Sequence, residues 1–323
     1  MRILFLRRCE KAVILPERKD VHAMELRHVL GNTWVAEANT ALLPVYKITE
    51  KDIVLIDTGY AKLDRSGLTA MIEDNGFHLR GVICSHAHFD HSGNVRYLQQ
   101  RCGARAAAHI IEAGISVNPD AYRANYVALT YGKSREYFLE ECFVADAIIG
   151  PEDEYLDFCG VRFGILPLPG HSAGHIGVVT PDNVAYVGDC LLDQQQIDSA
   201  KLPTSMFIAR DLQSKAFLRQ TDYPAYIIAH KAVVTDKTEL DALVDSNSEF
   251  IHRKADELLE DLADGMTFSQ WIAAFCQRES IRTKNEFKFS IIERNFANFV
   301  DWLTDEGRVT VQREYCAKTY YHG

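Results

Sequence analysis

Short apolar runs alternate with stretches of helical spacing over the first two-thirds of the chain. Thr33–Ala36, Ala41–Ile48 and Asp52–Ile56 read as three successive strands. Ile53-Val54-Leu55-Ile56 is apolar throughout and stops at Asp57-Thr58-Gly59, the pattern of a strand buried on both faces. Leu63–Asn75 reads as a helix closed by Gly76, and Gly81–Cys84 as the next buried strand. After Gly93, Asn94–Arg101 is a short helix and Arg105–Ala108 a further strand. Tyr122–Gly132 and Ser134–Cys142 carry helical spacing, with Tyr122, Tyr126, Tyr131, Tyr137 and Phe138 as an aromatic stripe that reads as core. Strands resume at Tyr155–Phe158, Val161–Pro167, Gly177–Thr180, Val184–Val187 and Tyr226–Ala229.

The pattern changes near Thr235. From Glu239 to Ala263 the apolar positions Leu240, Leu243, Val244, Phe250, Ala255 and Leu258 recur at helical spacing, and Gly265 ends the run. Phe268–Arg278 is a second helix behind Thr267 as N-cap, and Ser290–Thr304 a third, stopped by Asp305-Glu306-Gly307. Val309–Gln312 and Tyr315–Tyr320 alternate as a small hairpin. Helices followed by a two-stranded wing predict a winged-helix-like module, so the chain divides into residues 1–235 and 236–323.

Composition narrows the class. The 323 residues hold 35 Lys+Arg and 45 Asp+Glu, a formal charge of −10, with 47% hydrophobic and 25% charged residues. That is a globular composition, not a disordered or collagenous one. The acidic balance argues against coating nucleic acid by bulk charge, though it leaves room for a local basic groove. No apolar stretch reaches the roughly 18–20 residues of a membrane span. The start, MRILFLRRCEK, is broken by Arg7, Arg8 and Glu10 and lacks the order of a secretory signal, so a cytoplasmic protein is expected. Cys9, Cys84, Cys102, Cys142, Cys159, Cys190, Cys276 and Cys316 are scattered without a CxxC pair, so they read as mostly buried, reduced thiols.

The chemistry gathers behind the strand Gly81–Cys84, in Ser85-His86-Ala87-His88-Phe89-Asp90-His91-Ser92-Gly93. Four metal-capable side chains crowd one strand end, where a loop can aim them around a cavity. His86 and His88 can face one ion while Asp90 and His91 face a second. Further candidates follow other strands: His171 in Pro169-Gly170-His171-Ser172-Ala173-Gly174-His175, Asp189 after Val184–Val187, and His230 after Tyr226–Ala229. Strand ends place side chains along one sheet edge, where sites collect. Imidazole and carboxylate donors suit zinc, and also iron or manganese. No GxGxxG phosphate loop is present.

The series His86, His88, Asp90, His91, His171, Asp189, His230, with Asp57-Thr58-Gly59 upstream, resembles the metallo-β-lactamase superfamily over about residues 30–235. The resemblance implies an α/β (α+β) fold, an αββα sandwich, with a smaller, mostly helical C-terminal domain beside it here. It implies two divalent metal ions, most readily Zn2+, with Fe or Mn as alternatives. His86, His88 and His171 would bind the first and Asp90, His91 and His230 the second, with Asp189 bridging. It also implies a metal-bound hydroxide as nucleophile, with Asp90 as the catalytic residue that orients it and carries its proton. His175 and Asp57 read as supports of the site, and Cys190 as a buried thiol. His230 is followed by Lys231, where the family more often has glycine.

Within that family, His88 stands where flavodiiron oxidoreductases carry Glu. Only 41 positions separate Asp189 from His230, too few for the domain that large nucleic-acid processors insert. An ester, thioester or lactone hydrolase acting on a small molecule is expected, similar to hydroxyacylglutathione hydrolases or lactonases. An endoribonuclease and a mononuclear iron persulfide dioxygenase (through His86, His171 and Asp189) are the alternatives. Residues 236–323 hold 11 Lys+Arg against 17 Asp+Glu, a net of −6, so the tail reads as a substrate lid or homodimer element ahead of a nucleic-acid wing. Arg282, Lys284 and Lys288 are its candidates to reach the metal edge.

Overall fold

The computed structural model describes residues 23–125 and 129–323, so the N-terminal run with Cys9, and Tyr126 of the aromatic stripe, lie outside the described residues. Seven strands form the first sheet: β1 (Leu26–Leu30), β2 (Thr33–Glu37), β3 (Leu42–Lys47), β4 (Asp52–Ile56), β5 (His78–Cys84), β6 (Arg105–His109) and β7 (Ala147–Ile149), in that spatial order. The first four make an antiparallel meander, and β4 to β7 run parallel. Between the parallel strands lie α1 (Ala61–Asp74), α2 (Phe89–Ser92), α3 (Val95–Cys102), α4 (Ile110–Ser116), α5 (Pro119–Asn125) and α6 (Tyr131–Phe138).

The second sheet holds β8 (Tyr155–Phe158), β9 (Val161–Pro167), β10 (Ile176–Val179), β11 (Val184–Tyr186), β12 (Ala225–Ile228) and β13 (Ala232–Val234). Helices α7 (Gln194–Ser199) and α8 (Ile208–Arg219) cross from β11 to its parallel neighbour β12. Period-two alternation sorts the side chains of this sheet. Tyr186 and Ile227 join Val45, Leu55 and Ile83 in the core shared by the two sheets. Ala185, Val187, Tyr226 and Ile228 face outward, under Leu218 of α8. The result is a four-layer α/β sandwich.

The chain ends in α9 (Lys237–Glu260), α10 (Phe268–Arg278), α11 (Glu286–Asp305) and the hairpin β14 (Val309–Glu314)–β15 (Ala317–His322). Local chemistry sets these boundaries. Asp236 caps α9 through Thr238 N and Glu239 N, Thr267 and Gln270 form a capping box on α10, and Asn285 caps α11. Trp271, Phe275, Phe296 and Phe299 make a separate core with Ile251 and Leu258, and Ile208 of α8 enters it. The first half of α9 (Leu240, Val244) packs instead on the outer face of the second sheet. One helix is thus shared by both cores.

Several expectations need correction. The helices expected over Tyr122–Gly132 and Ser134–Cys142 are α5 and α6: Thr130 accepts a hydrogen bond from Lys133 N and starts α6 at Tyr131. Tyr122 and Phe138 of the stripe are buried and stacked, whereas Tyr131 is exposed. The hairpin turns at Tyr315-Cys316, both at positive φ, so β15 begins at Ala317. Of the seven described cysteines, Cys84, Cys142 and Cys190 are buried, Cys159 and Cys276 half-buried, and Cys102 and Cys316 exposed; all are free thiols. No helix among the described residues is long and apolar enough to cross a membrane.

Candidate metal centre

Parallel register brings the chemistry to one edge. Ile56 pairs with Ile83 and Cys84 with Ala108, so the ends of β4, β5 and β6 sit side by side. Tyr186 pairs with Ile227, which sets the ends of β11 and β12 together. The two sheets are stitched at this edge by Leu42 N donating to Ala229 O (2.6 Å) and Ile176 N to Ser85 O (3.0 Å). The backbone turns sharply there. Gly188 has φ +53°, and a Cβ on it would lie 2.6 Å from His175 Nε2, so a side chain would displace the ring.

Four imidazoles of the cluster are held by partners outside it. Asp57 sits at φ +60° past β4 and is fully buried. Its carboxylate accepts from Ser85 N (2.8 Å), Ser85 Oγ (2.6 Å), Tyr186 Oη (2.7 Å) and His91 Nδ1 (2.9 Å). That last bond fixes Nδ1 of His91 as a donor and turns Nε2 toward the cluster. Ser85 Oγ, having donated to Asp57, accepts from His86 Nδ1 (3.0 Å) and leaves His86 Nε2 bare. A carbonyl can only accept, so Thr204 O fixes His171 Nδ1 as donor (2.9 Å) and Thr40 O fixes His230 Nδ1 (2.7 Å). Four imidazoles therefore turn their Nε2 atoms inward.

His88 enters in the opposite sense, with Nδ1 2.9 Å from His171 Nε2. Asp189 completes the group: His91 Nε2 and His230 Nε2 lie 3.2 Å and 3.3 Å from its Oδ1, and His171 Nε2 lies 3.4 Å from Oδ2. The seven residues singled out in the sequence are thus brought together. Donor atoms of His86, His88 and His171 gather within 4.8 Å of one another, and so do those of Asp90, His91 and His230. The nitrogens His86 Nε2 and His91 Nε2 and the oxygen Asp189 Oδ1 are buried without any hydrogen-bond partner. Buried polar atoms are rarely left so, and convergent orphaned donors of this kind fit a divalent ion.

Electrostatics agrees with the donor set. Burial, followed by the neighbouring imidazoles, holds His86 well below the usual histidine range. Burial also lowers His88 and His171. All three are kept as neutral imidazoles. His91 and His230 go the other way: burial opposes their charge, but Asp189 outweighs it, raising His91 well above the usual range and His230 to about 9. Asp189 is held well below its usual range by His91, His230 and His171, against the pull of burial.

The remaining histidine and aspartate expectations also find their places. His175 donates through Nδ1 to Leu168 O (3.1 Å) and accepts from Asp189 N (3.1 Å), so it positions the backbone of Asp189. Asp57 also groups with His86 and His91, but its oxygens are taken up by the four donors above. Lys231 is exposed, and Arg282, Lys284 and Lys288 are exposed outside the site cavity. Cys190 is a buried thiol beside Asp189, pushed up to about 12 by burial.

Some supports carry no motif. Glu112 on α4 is buried and accepts from Ala87 N (2.8 Å), Ser172 Oγ (2.8 Å) and Gly174 N (2.7 Å), tying together the loops of His86–His88 and His171. Asn247 of α9 makes a reciprocal pair with Leu192 N and Leu192 O, both 2.9 Å, just past Asp189. On α11, Asn295 donates to Thr204 Oγ1 (3.3 Å) and Asn298 to Ser205 O (2.8 Å), beside the carbonyl that fixes His171. The C-terminal helices thus brace the metal loops. They also wall a cavity of about 340 Å³ over the cluster, lined by His88, Asp90, His171, Asp189 and His230 on one side and Phe250, Ile251 and Ile291 on the other.

Comparison with known proteins agrees with this geometry. The chain belongs to the metallo-beta-lactamase superfamily, whose family model matches residues 42–242. Hydroxyacylglutathione hydrolase GloC of Haemophilus influenzae is 30% identical over 145 residues, 44% of this chain and 62% of that protein. A hydroxyacylglutathione hydrolase of Ectopseudomonas mendocina is 28% identical over 130 residues, 40% of this chain and 39% of that protein. The matched stretches thus span less than two-thirds of either relative. In fold, a metallo-beta-lactamase family protein from Thermus thermophilus is similar with a TM-score of 0.67 at 17% identity, over 93% of this chain and 99% of that one.

Proposed function

We propose that the protein is a dinuclear metal-dependent hydrolase that cleaves an ester, thioester or lactone of a small molecule. The observation that carries the reading is the inward convergence of orphaned Nε2 and carboxylate atoms at the floor of a small walled cavity. His86, His88 and His171 would hold one ion, Asp90, His91 and His230 the other, and Asp189 both. All-nitrogen and oxygen donors suit Zn2+, Mn2+ or Fe. Divalent ions in such a pair supply Lewis-acid activation of a carbonyl and make water acidic enough to attack at neutral pH.

The chain's own residues do the rest. Asp57, Ser85, Thr40 and Thr204 O fix the imidazole tautomers before any ion arrives, so little is reorganised on binding. Asp90 lines the cavity, and its carboxylate accepts the proton of the attacking water and passes it to the leaving group. Phe250, Ile251 and Ile291 exclude bulk water and hold the apolar part of the substrate. The cavity volume of about 340 Å³ is at the small end of the roughly 300–1,000 Å³ range of small-molecule sites, which favours a small substrate over a nucleic-acid strand. The likeness to hydroxyacylglutathione hydrolases makes thioesters the first class to try.

The test is a panel of thioesters, esters and lactones beside single-stranded RNA, each with wild type and Asp90→Asn. Metal-dependent turnover of a carbonyl substrate, lowered about 100-fold or more by Asp90→Asn, is expected. Cleavage of RNA alone would overturn the reading in favour of a phosphodiesterase.

A further inference from the structure

The site cavity holds one charged group that the hydrolytic scheme leaves unused. Lys215 of α8 lines it, yet the residue is only 4% exposed. Lysines are almost never buried to that degree without a reason. Its partner is Asp211, one helical turn earlier on the same helix and equally buried. Among the described residues this is the ammonium's one hydrogen bond. An ammonium carries three N–H donors, so two remain for whatever occupies the cavity.

The pair is fixed against the metal loop. Ser214 Oγ donates to Pro169 O (2.7 Å), and Gly170 packs so closely that a Cβ on it would lie 2.3 Å from Asp211 Cα. Gly170 adopts φ +146°, a conformation other residues rarely take. The helix is therefore pressed onto the residue before His171, and Lys215 faces the same space as His171, Asp189 and His230. A buried ion pair of this kind contributes little to stability compared with apolar replacements of similar volume, so stability alone does not account for it.

We propose that Lys215 is the anion anchor of this cavity and that the substrate carries a carboxylate, which the ammonium holds while the scissile carbonyl lies over the metal cluster. The inference rests on the hydrolase reading and adds a substrate class to it. A singly charged carboxylate matches one ammonium shared with Asp211; a dianionic phosphate calls for more cations or the forked donors of arginine. Asp90, Asp189 and Asp211 also line the cavity, and in the absence of ions they offset its cationic side chains. With two divalent ions its net charge becomes positive. Anion capture is therefore coupled to metal loading.

The experiment titrates the zinc-loaded protein calorimetrically with acetate and with succinate, glutarate and adipate. Acetate reports a carboxylate on the metals alone, and the diacids add a second carboxylate at varied reach. At least one diacid is expected to bind about 10-fold or more tighter than acetate, the worth of a charge-assisted hydrogen bond. Lys215→Met should abolish that preference with zinc content unchanged, and Lys215→Arg should retain part of it. Should Lys215→Met fail to fold because Asp211 is left uncompensated, the double variant Asp211→Asn/Lys215→Met removes both charges and is read the same way. Equal affinity for acetate and all diacids in wild type, or a preference that survives loss of the ammonium, overturns the anchor while leaving the hydrolase reading standing. Failure of the wild type to retain zinc or manganese overturns both.

Discussion

Asp57 holds the site without touching what the site does. Its buried carboxylate accepts from four donors, including His91 Nδ1, and so sets which nitrogen of His91 faces inward. Partners of this kind typically tune metal affinity by about 10–100-fold. Asp57→Asn is therefore expected to weaken metal binding by that factor in a competition with a chelator; unchanged affinity would show that the tautomer is set elsewhere. Protonation gives a second test. In the metal-free protein His230 titrates near 9 and His91 well above the usual range, so both carry protons at pH 7. Their contacts with Asp189 stabilise the metal-free fold below the unfolded histidine value of about 6.5 and are lost as pH rises through about 9. Metal uptake has the opposite sign, because ligands must be bare. Calorimetry in buffers of different ionisation enthalpy should show at least one proton released per chain at pH 7, with affinity climbing as pH rises. An enthalpy independent of buffer would contradict the assignment of His91 and His230. The seven inward-facing residues were legible because each lies at a strand end in a recognisable spacing. Glu112, Thr40 and Thr204 were not: the first acts from a helix without a motif, and the other two act through backbone carbonyls, which any residue supplies.

At the scale of elements, apolar runs such as Ile53–Ile56 and one-sided helices such as Phe268–Arg278 announced themselves, and α10 has the expected bounds. Helix α8 did not, because its inner face carries Asp211, Ser214 and Lys215 where a plain core helix would carry leucines. Buried polar side chains erased the periodicity, and they did so at the site. β1 was hidden for the opposite reason, as an edge strand whose Leu26 and Val29 are only half-buried. The C-terminal helices reach the site through Asn247, whose amide pairs both polar groups of Leu192. Asn247→Ala leaves those groups unpaired and should cost about 1–3 kcal/mol in chemical denaturation, together with a rise in KM as the segment after Asp189 loosens. Loss of stability with KM unchanged would mean that the brace is structural only. In the separate core, Trp271 is fully buried and donates through Nε1 to Leu258 O (2.8 Å). Trp271→Ala should cost about 3–5 kcal/mol in the same measurement.

For the whole molecule, the residues after position 235 are more than an appendage, since α9 contributes to the outer face of the second sheet and to the C-terminal core. Phe287 stacks on Tyr137 and meets Phe89 of the metal loop edge-on. The cavity wall and the loops beneath it therefore form one packed unit: α9 and α11 line the cavity while bracing those loops. That arrangement fits a small carbonyl substrate enclosed over two ions. The most direct test of that claim is elemental analysis of the purified protein, scored as metal atoms per chain. Close to two zinc or manganese atoms per chain, falling steeply in Asp189→Ala, is the predicted result. One iron per chain, with oxygen uptake on persulfides and no hydrolysis, would contradict the dinuclear hydrolase and put a mononuclear dioxygenase in its place.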